Sequence, residues 1–187
     1  ALQFGIAVMV DETYTEFAPD DRKISSIPLT NNYNNLIVLR GISKFFAAPG
    51  LRLGYAVTGN PDLLKYINTK KNPWTINSLA EIAGCIMFSD KEYIEKTRTL
   101  ITTERERLLK TLSAWDTVKV YPSCTNFILM KILKEDVTSD MLFDCCIRKG
   151  LMIRDCSTFP FLDSSYVRFC VMSPEKNDAL IEAFGEL

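Results

Sequence analysis

No histidine occurs among the 187 residues. That absence excludes Ser-His and Cys-His nucleophile schemes and any histidine-based metal site. An enzyme built this way must move protons with another group, and a lysine working on an organic cofactor is one of the few left. An excess of one charge is also lacking. Lys and Arg number 22 against 23 Asp and Glu, a net charge of −1. With no basic stripe, neither nucleic acid nor an anionic membrane is an expected partner. Long apolar runs are missing too: residues 4–10 form one of the longest, far too short to span a bilayer. No basic start or cleavage pattern opens the sequence, so no signal peptide is expected and the cytoplasm is the expected location. No repeat or low-complexity tract appears. What is present is ordinary for a soluble globular protein: 47% hydrophobic and 24% charged residues. The length suits one domain or one and a half.

Six cysteines, at 85, 124, 145, 146, 156 and 170, match no zinc spacing. The adjacent Cys145 and Cys146 suit a disulfide badly. Reduced thiols, mostly buried as small hydrophobes, are expected.

Along the chain, residues 4–10, 36–40 and 53–58 are near-continuous apolar runs. Each reads as a strand buried on both faces, and together as part of a parallel sheet. Asn60-Pro61 after the third run reads as an N-cap with proline in the first turn. Helical patterning follows over residues 75–88 and again over 90–115. On the second helix Ile94, Ile101, Leu108, Leu112 and Trp115 share one face. That helix is long enough to leave one domain and enter another. The charged run at residues 103–107 reads as its solvated face. Strands are then expected at 118–121, 126–132, 151–154 and 166–172. Helices are expected at 139–149, closed by Gly150, and from Ser173-Pro174-Glu175 to about Phe184. The fold class is therefore α/β, with part of a mostly parallel sheet over residues 1–95 and a small α+β domain over residues 96–187. Three parallel strands do not easily close a core, so the chain is expected to be the C-terminal portion of a longer protein.

Ligands of open parallel sheets sit beyond the carboxyl ends of the strands. The first strand ends in Asp11-Glu-Thr-Tyr14 and the second in Arg40-Gly-Ile-Ser-Lys44-Phe-Phe. Asp11 and Lys44 are expected close together, either as a buried ion pair or as a functional pair. The small-residue turn Ala47-Ala-Pro-Gly50 brings Arg52 back toward the lysine. Ser43 and Arg52 would then offer a hydroxyl and a fork of donors, which is how a phosphate is held. Arg168 lies mid-strand, on the face opposite Val167, Phe169 and Val171. An arginine there wants an anion, from a substrate or from a structural partner.

The runs Val10-Asp-Glu-Thr-Tyr-Thr-Glu-Phe17 and Ser43-Lys-Phe-Phe-Ala-Ala-Pro-Gly-Leu-Arg-Leu-Gly-Tyr55 resemble the fold-type I pyridoxal-phosphate (PLP) enzymes of aminotransferase class I/II. The resemblance runs over nearly the whole chain. It departs from the family pattern at Gly41, where relatives often carry a hydroxyl residue, and at Ala47-Ala48. It implies PLP as cofactor, with Lys44 holding it as a Schiff base and later moving protons. Asp11 would pair with the pyridine nitrogen and Tyr14 with the ring oxygen, while Ser43 and Arg52 would hold the phosphate. Arg154 and Arg168 would bind the carboxylate and phosphate of a small amino substrate. Two branches fit best, threonine-phosphate decarboxylase, which serves cobalamin synthesis, and histidinol-phosphate aminotransferase. Asn72-Pro-Trp-Thr-Ile-Asn77 and Ile153-Arg-Asp-Cys-Ser-Thr-Phe159 look more like the decarboxylase. The resemblance also implies a homodimer, and a missing N-terminal part that completes the cofactor pocket. A lone fragment of this kind would bind PLP weakly and turn nothing over.

Overall fold

A computed structural model of the chain describes residues 4–186, apart from the side chain of Asp21. Backbone contacts divide it into two compact units, Ala1–Glu95 and Lys96–Leu187. No helix among the described residues is long and apolar enough to cross a membrane.

The first unit holds a three-stranded sheet in the order β1 (Val8–Asp11), β2 (Leu36–Gly41), β3 (Gly54–Val57). A short helix α1 (Asp21–Ile24) and two 3-10 turns lie between β1 and β2. β1 and β2 are parallel, in the register Val8 to Leu36 and Asp11 to Leu39. β3 corrects the all-parallel reading, because it runs antiparallel to β2, with Gly41 opposite Gly54. The linking segment holds one short 3-10 turn, Pro49–Leu51, and no α-helix. A parallel return needs a crossover, usually helical, so the chain makes a wide hairpin instead. A Cβ on Gly54 would stand 2.9 Å from the Arg40 carbonyl oxygen, so the two strands meet where only glycine fits. Nor are all three strands buried on both faces. β2 buries Leu36 and Val38, while β1 alternates and β3 is largely exposed.

Helix α2 (Pro61–Lys70) starts where the sequence places it. The Asn60 side chain accepts from the N–H groups of Asp62 and Leu63, both at 3.0 Å. Asn60→Ala should cost about 1 kcal/mol, read as a lower unfolding midpoint in urea. An unchanged midpoint would show that the cap contributes nothing. Helix α3 (Ser78–Ser89) follows, capped by Asn77.

Helix α4 (Lys91–Ser113) runs from the first unit into the second. The second unit's sheet is antiparallel throughout, in the order β4 (Val118–Val120), β5 (Phe127–Ile132), β7 (Tyr166–Cys170), β6 (Arg154–Asp155). Helices α5 (Ser139–Arg148) and α6 (Pro174–Gly185) complete it. Its core joins Leu108 and Leu112 of α4, Ile128 and Met130 of β5, Val167 and Phe169 of β7, and Leu180 of α6. Each such side chain contributes about 1.5–3 kcal/mol on burial. Of the strand expected at 151–154 only Arg154 is strand, and it pairs with β7 together with Asp155. Ser173 precedes α6 without a capping side-chain bond.

Two further expectations fail. The run 103–107 is not simply a solvated face, since Glu104 and Arg105 are buried. Both fall on the stripe of Ile101, Leu108 and Leu112, where i, i+3 and i+4 positions coincide. Glu104 is held there by Arg107 and by the buried Asn177, which donates at 2.7 Å. All six cysteines are free as expected, but only Cys146 and Cys156 are buried.

Candidate active site

The β2–β3 connection carries Ser43, Lys44 and Arg52 on one loop. Its anchor is aromatic. Phe45, next to the lysine, is buried between Phe17, with ring centroids 5.1 Å apart, and Tyr93, at 6.2 Å. The Tyr93 hydroxyl donates to the Phe45 carbonyl at 2.9 Å. Phe46 stacks on Tyr93 at 5.7 Å and meets the Phe88 ring at 5.5 Å. These contacts fix the chain on the far side of Lys44 and leave its own side chain exposed. The loop also holds two non-glycine residues in the left-handed region, Ala47 at φ 49° and Arg52 at φ 54°. Each costs roughly 1–2 kcal/mol, and such strain gathers at functional sites.

The structure brings Lys44 to Tyr14, with Nζ 5.7 Å from the ring centroid. Tyr14 stands just beyond β1, three residues after Asp11. Asp11 and Lys44 leave neighbouring parallel strands at the same end. They form no ion pair, so the buried-pair reading fails: both are exposed. Asp11 is instead held by Thr13, whose hydroxyl and N–H (2.9 Å) donate to Oδ1. The hydroxyl first, then the N–H, keep this carboxyl below its usual range against the opposing effect of burial. Arg52 is exposed and folds back to donate to the Pro49 carbonyl at 2.9 Å. Ser43 is half-buried.

A buried ion pair does exist at these strand ends, one residue away. Glu12 accepts from Arg40 Nη2 at 2.8 Å and Nε at 3.1 Å, and Glu16 accepts from Nη1 at 3.0 Å. Ser25 and the Ser26 N–H complete the shell of Glu12. The sequence offered one signal for it: two glutamates four apart beside a strand that ends in arginine.

In the second unit, Arg154 and Arg168 stand directly opposite each other on β6 and β7. Both line a cavity of about 590 Å³, with Asp155, Thr158 and Cys170. Like charges opposed across a sheet destabilise it. Among the described residues neither guanidinium forms an ion pair, although Asp140 and Asp155 line the same cavity and the nearby Arg154 helps to hold the Asp155 carboxyl below its usual range. Asp155 is engaged by Ser157, whose N–H and hydroxyl donate at 2.9 and 2.6 Å. Each arginine lies instead over a ring that sequence reasoning missed. Arg168 sits 4.7 Å from the centroid of Phe127, and Arg154 sits 5.6 Å from that of Phe159.

Comparison with known proteins shows the family. The model of the family "Aminotransferase class I and II" matches residues 1–184. The chain belongs to that family. Its members are PLP-dependent enzymes. The chain is 40% identical over 183 residues to a protein of Caldanaerobacter subterraneus subsp. tengcongensis provisionally named a threonine-phosphate decarboxylase, covering 98% of this chain and 49% of that one. It is also 40% identical over 180 residues to the histidinol-phosphate aminotransferase of Thermoanaerobacter pseudethanolicus, covering 96% and 48%. Among solved structures, the histidinol-phosphate aminotransferase of Clostridium acetobutylicum superposes with a TM-score of 0.91 at 33% identity, over 98% of this chain and 54% of that one. The chain thus spans about half the length of the aminotransferase-family relatives it matches.

Proposed function

We propose that this chain is the lysine-bearing part of a PLP-dependent enzyme acting on a phosphorylated amino acid or amino alcohol, with threonine-phosphate decarboxylation as the first reading. The supporting observation is the opposed pair Arg154 and Arg168, which line one cavity and form no ion pair among the described residues. Two guanidiniums suit a substrate with two anionic groups, and threonine phosphate has a carboxylate and a phosphate. The second reading is an aminotransferase acting on histidinol phosphate or an aromatic amino acid. Equal 40% identity to relatives of both names supports it as well. So does the fact that 2-oxoglutarate, a common amino-group acceptor, also carries two carboxylates.

The residues of the first unit fit the cofactor by the chemistry of their donors. Lys44 offers an exposed amine for its aldehyde. Asp11, held ionised by Thr13, suits a protonated ring nitrogen. Tyr14 offers a hydroxyl, and Ser43 and Arg52 offer donors for a phosphate. When bound, the cofactor draws electrons from the substrate's α-carbon. Lys44 Nζ then carries protons to and from that carbon. The two arginines fix how the substrate's anionic groups lie, and so which α-carbon bond is presented for cleavage. The same proposal places the enzyme in the cytoplasm, as a homodimer serving cobalamin synthesis.

The test is an assay of the full-length protein with O-phospho-L-threonine and, in a second arm, with histidinol phosphate or an aromatic amino acid plus 2-oxoglutarate. Released carbon dioxide supports the first reading. Glutamate formed from 2-oxoglutarate without carbon dioxide moves the case to the second. Neither product overturns both. Arg168→Gln should raise KM about 10- to 100-fold, the scale of a lost hydrogen bond to a charged group. An unchanged KM would remove Arg168 from the site.

A further inference from the structure

We propose that Phe127 is a positioning residue for substrate: its ring holds the face of the Arg168 guanidinium, leaving the N–H edges for an anion in the cavity. This rests on the reading of Arg168 as a substrate residue. Arg168 lines the cavity, forms no ion pair among the described residues, and lies 4.7 Å from the Phe127 centroid. A guanidinium donates in its own plane and is attracted to a ring through its face. The two interactions therefore do not compete. Without the ring, a long, unpaired side chain would spread over many rotamers, and binding an anion would have to order it.

The platform is itself fixed. Phe127 opens β5 directly opposite Cys170, so Arg168 is its diagonal neighbour, a separation that an aromatic and a long side chain can bridge. Its carbonyl accepts from Ser123 Oγ at 2.6 Å and Thr125 Oγ1 at 3.3 Å. Its N–H donates to Thr125 Oγ1 at 3.4 Å. The next residue, Ile128, is fully buried. Two hydroxyls on one side and the core on the other hold the ring's backbone in place. A ring needed only for packing would not require a guanidinium on its face.

The experiment uses the full-length, PLP-loaded protein. KM and kcat are measured for O-phospho-L-threonine or, if the reaction proves to be transamination, for 2-oxoglutarate. Phe127→Leu should raise KM about three- to tenfold, the range of a cation–π contact, with kcat unchanged. Phe127→Tyr, which keeps the face, should restore KM. Adding Phe127→Leu to Arg168→Gln should raise KM no further than Arg168→Gln alone. Phe127→Met stands in should the leucine variant unfold. The proposal is overturned by an unchanged KM in Phe127→Leu while Arg168→Gln raises it. It is also overturned by a Phe127→Leu effect that persists beside Arg168→Gln, which would mark plain packing. If Arg168→Gln leaves KM unchanged, the substrate role of Arg168 falls, and this proposal falls with it.

Discussion

Full-length protein carrying Lys44→Ala should lose the visible absorbance of lysine-bound PLP, and its turnover should fall by about 10,000-fold or more. The magnitude follows from what the residue is asked to do. General acid–base catalysis alone contributes about 100- to 10,000-fold, and the covalent attachment comes in addition. Lys44→Arg should be nearly as inactive, since a guanidinium keeps the charge but is not deprotonated to serve as nucleophile or base. Stability of the PLP-free proteins should hardly change in either variant. Lys44 is exposed and makes no ion pair among the described residues; its ring contact is with Tyr14 at 5.7 Å. The aromatic anchor beside it, Phe45 with Phe17 and Tyr93, is untouched. A surface change of this kind shifts unfolding by no more than about 0.5 kcal/mol. Absorbance and kcat are measured on the PLP-loaded proteins, and the melting temperature on the PLP-free ones. Colour and turnover that survive Lys44→Ala would sink the assignment; a collapsed melting temperature would mean that the lysine supports the fold.

What the sequence showed of this region was local. The loop of Ser43, Lys44 and Arg52, the cap at Asn60 and the alternation of Val167, Phe169 and Val171 are each set within a few residues. All appear in the structure. What it hid was mostly non-local. β3 has the same apolar composition as a parallel strand, and only the missing helix in its connection decides its direction. Glu104 and Arg105 read as solvated because their charges outweigh their helical position; the position won, since Arg107 and Asn177 are there to satisfy Glu104.

The opposed arginines show the same limit. Spacing alone could not say that Arg154 and Arg168 face each other. That follows from β6 pairing with β7 in one particular register. A slip of one residue would send Arg168 to the core side. The ring beneath Arg168 was equally hidden, because Phe127 comes from a third strand. Placing two cations on one surface therefore depends on the whole sheet, and the cost of that arrangement is the best reason to look for an anion.

The second large effect belongs to Arg40. Arg40→Met should destabilise the protein by about 3–5 kcal/mol, the usual result of removing one member of a buried pair. The side chains of Arg40, Glu12 and Glu16 are only 9%, 5% and 13% exposed, so solvent would do little to screen the glutamates left behind. Adding Glu12→Gln to Arg40→Met should recover part of the loss, since a neutral amide is cheaper to bury than an unpaired carboxylate. The pair also predicts a pH dependence. Burial pushes the Glu12 carboxyl up, but the Ser26 N–H, the Ser25 hydroxyl and Arg40 together outweigh it and leave it below its usual value. A folded value below the unfolded one, about 4.3, gives stability that is complete above that pH. It is lost as pH falls through the folded value. Arg40 is raised and stays cationic, so it adds no slope in acid. Urea midpoints of the wild type should therefore fall more steeply between about pH 5 and pH 3 than those of Glu12→Gln. Equal slopes would mean that Glu12 is no better held in the folded protein than in the unfolded chain, and the buried pair would then not be what fastens β1 to β2 beside Lys44.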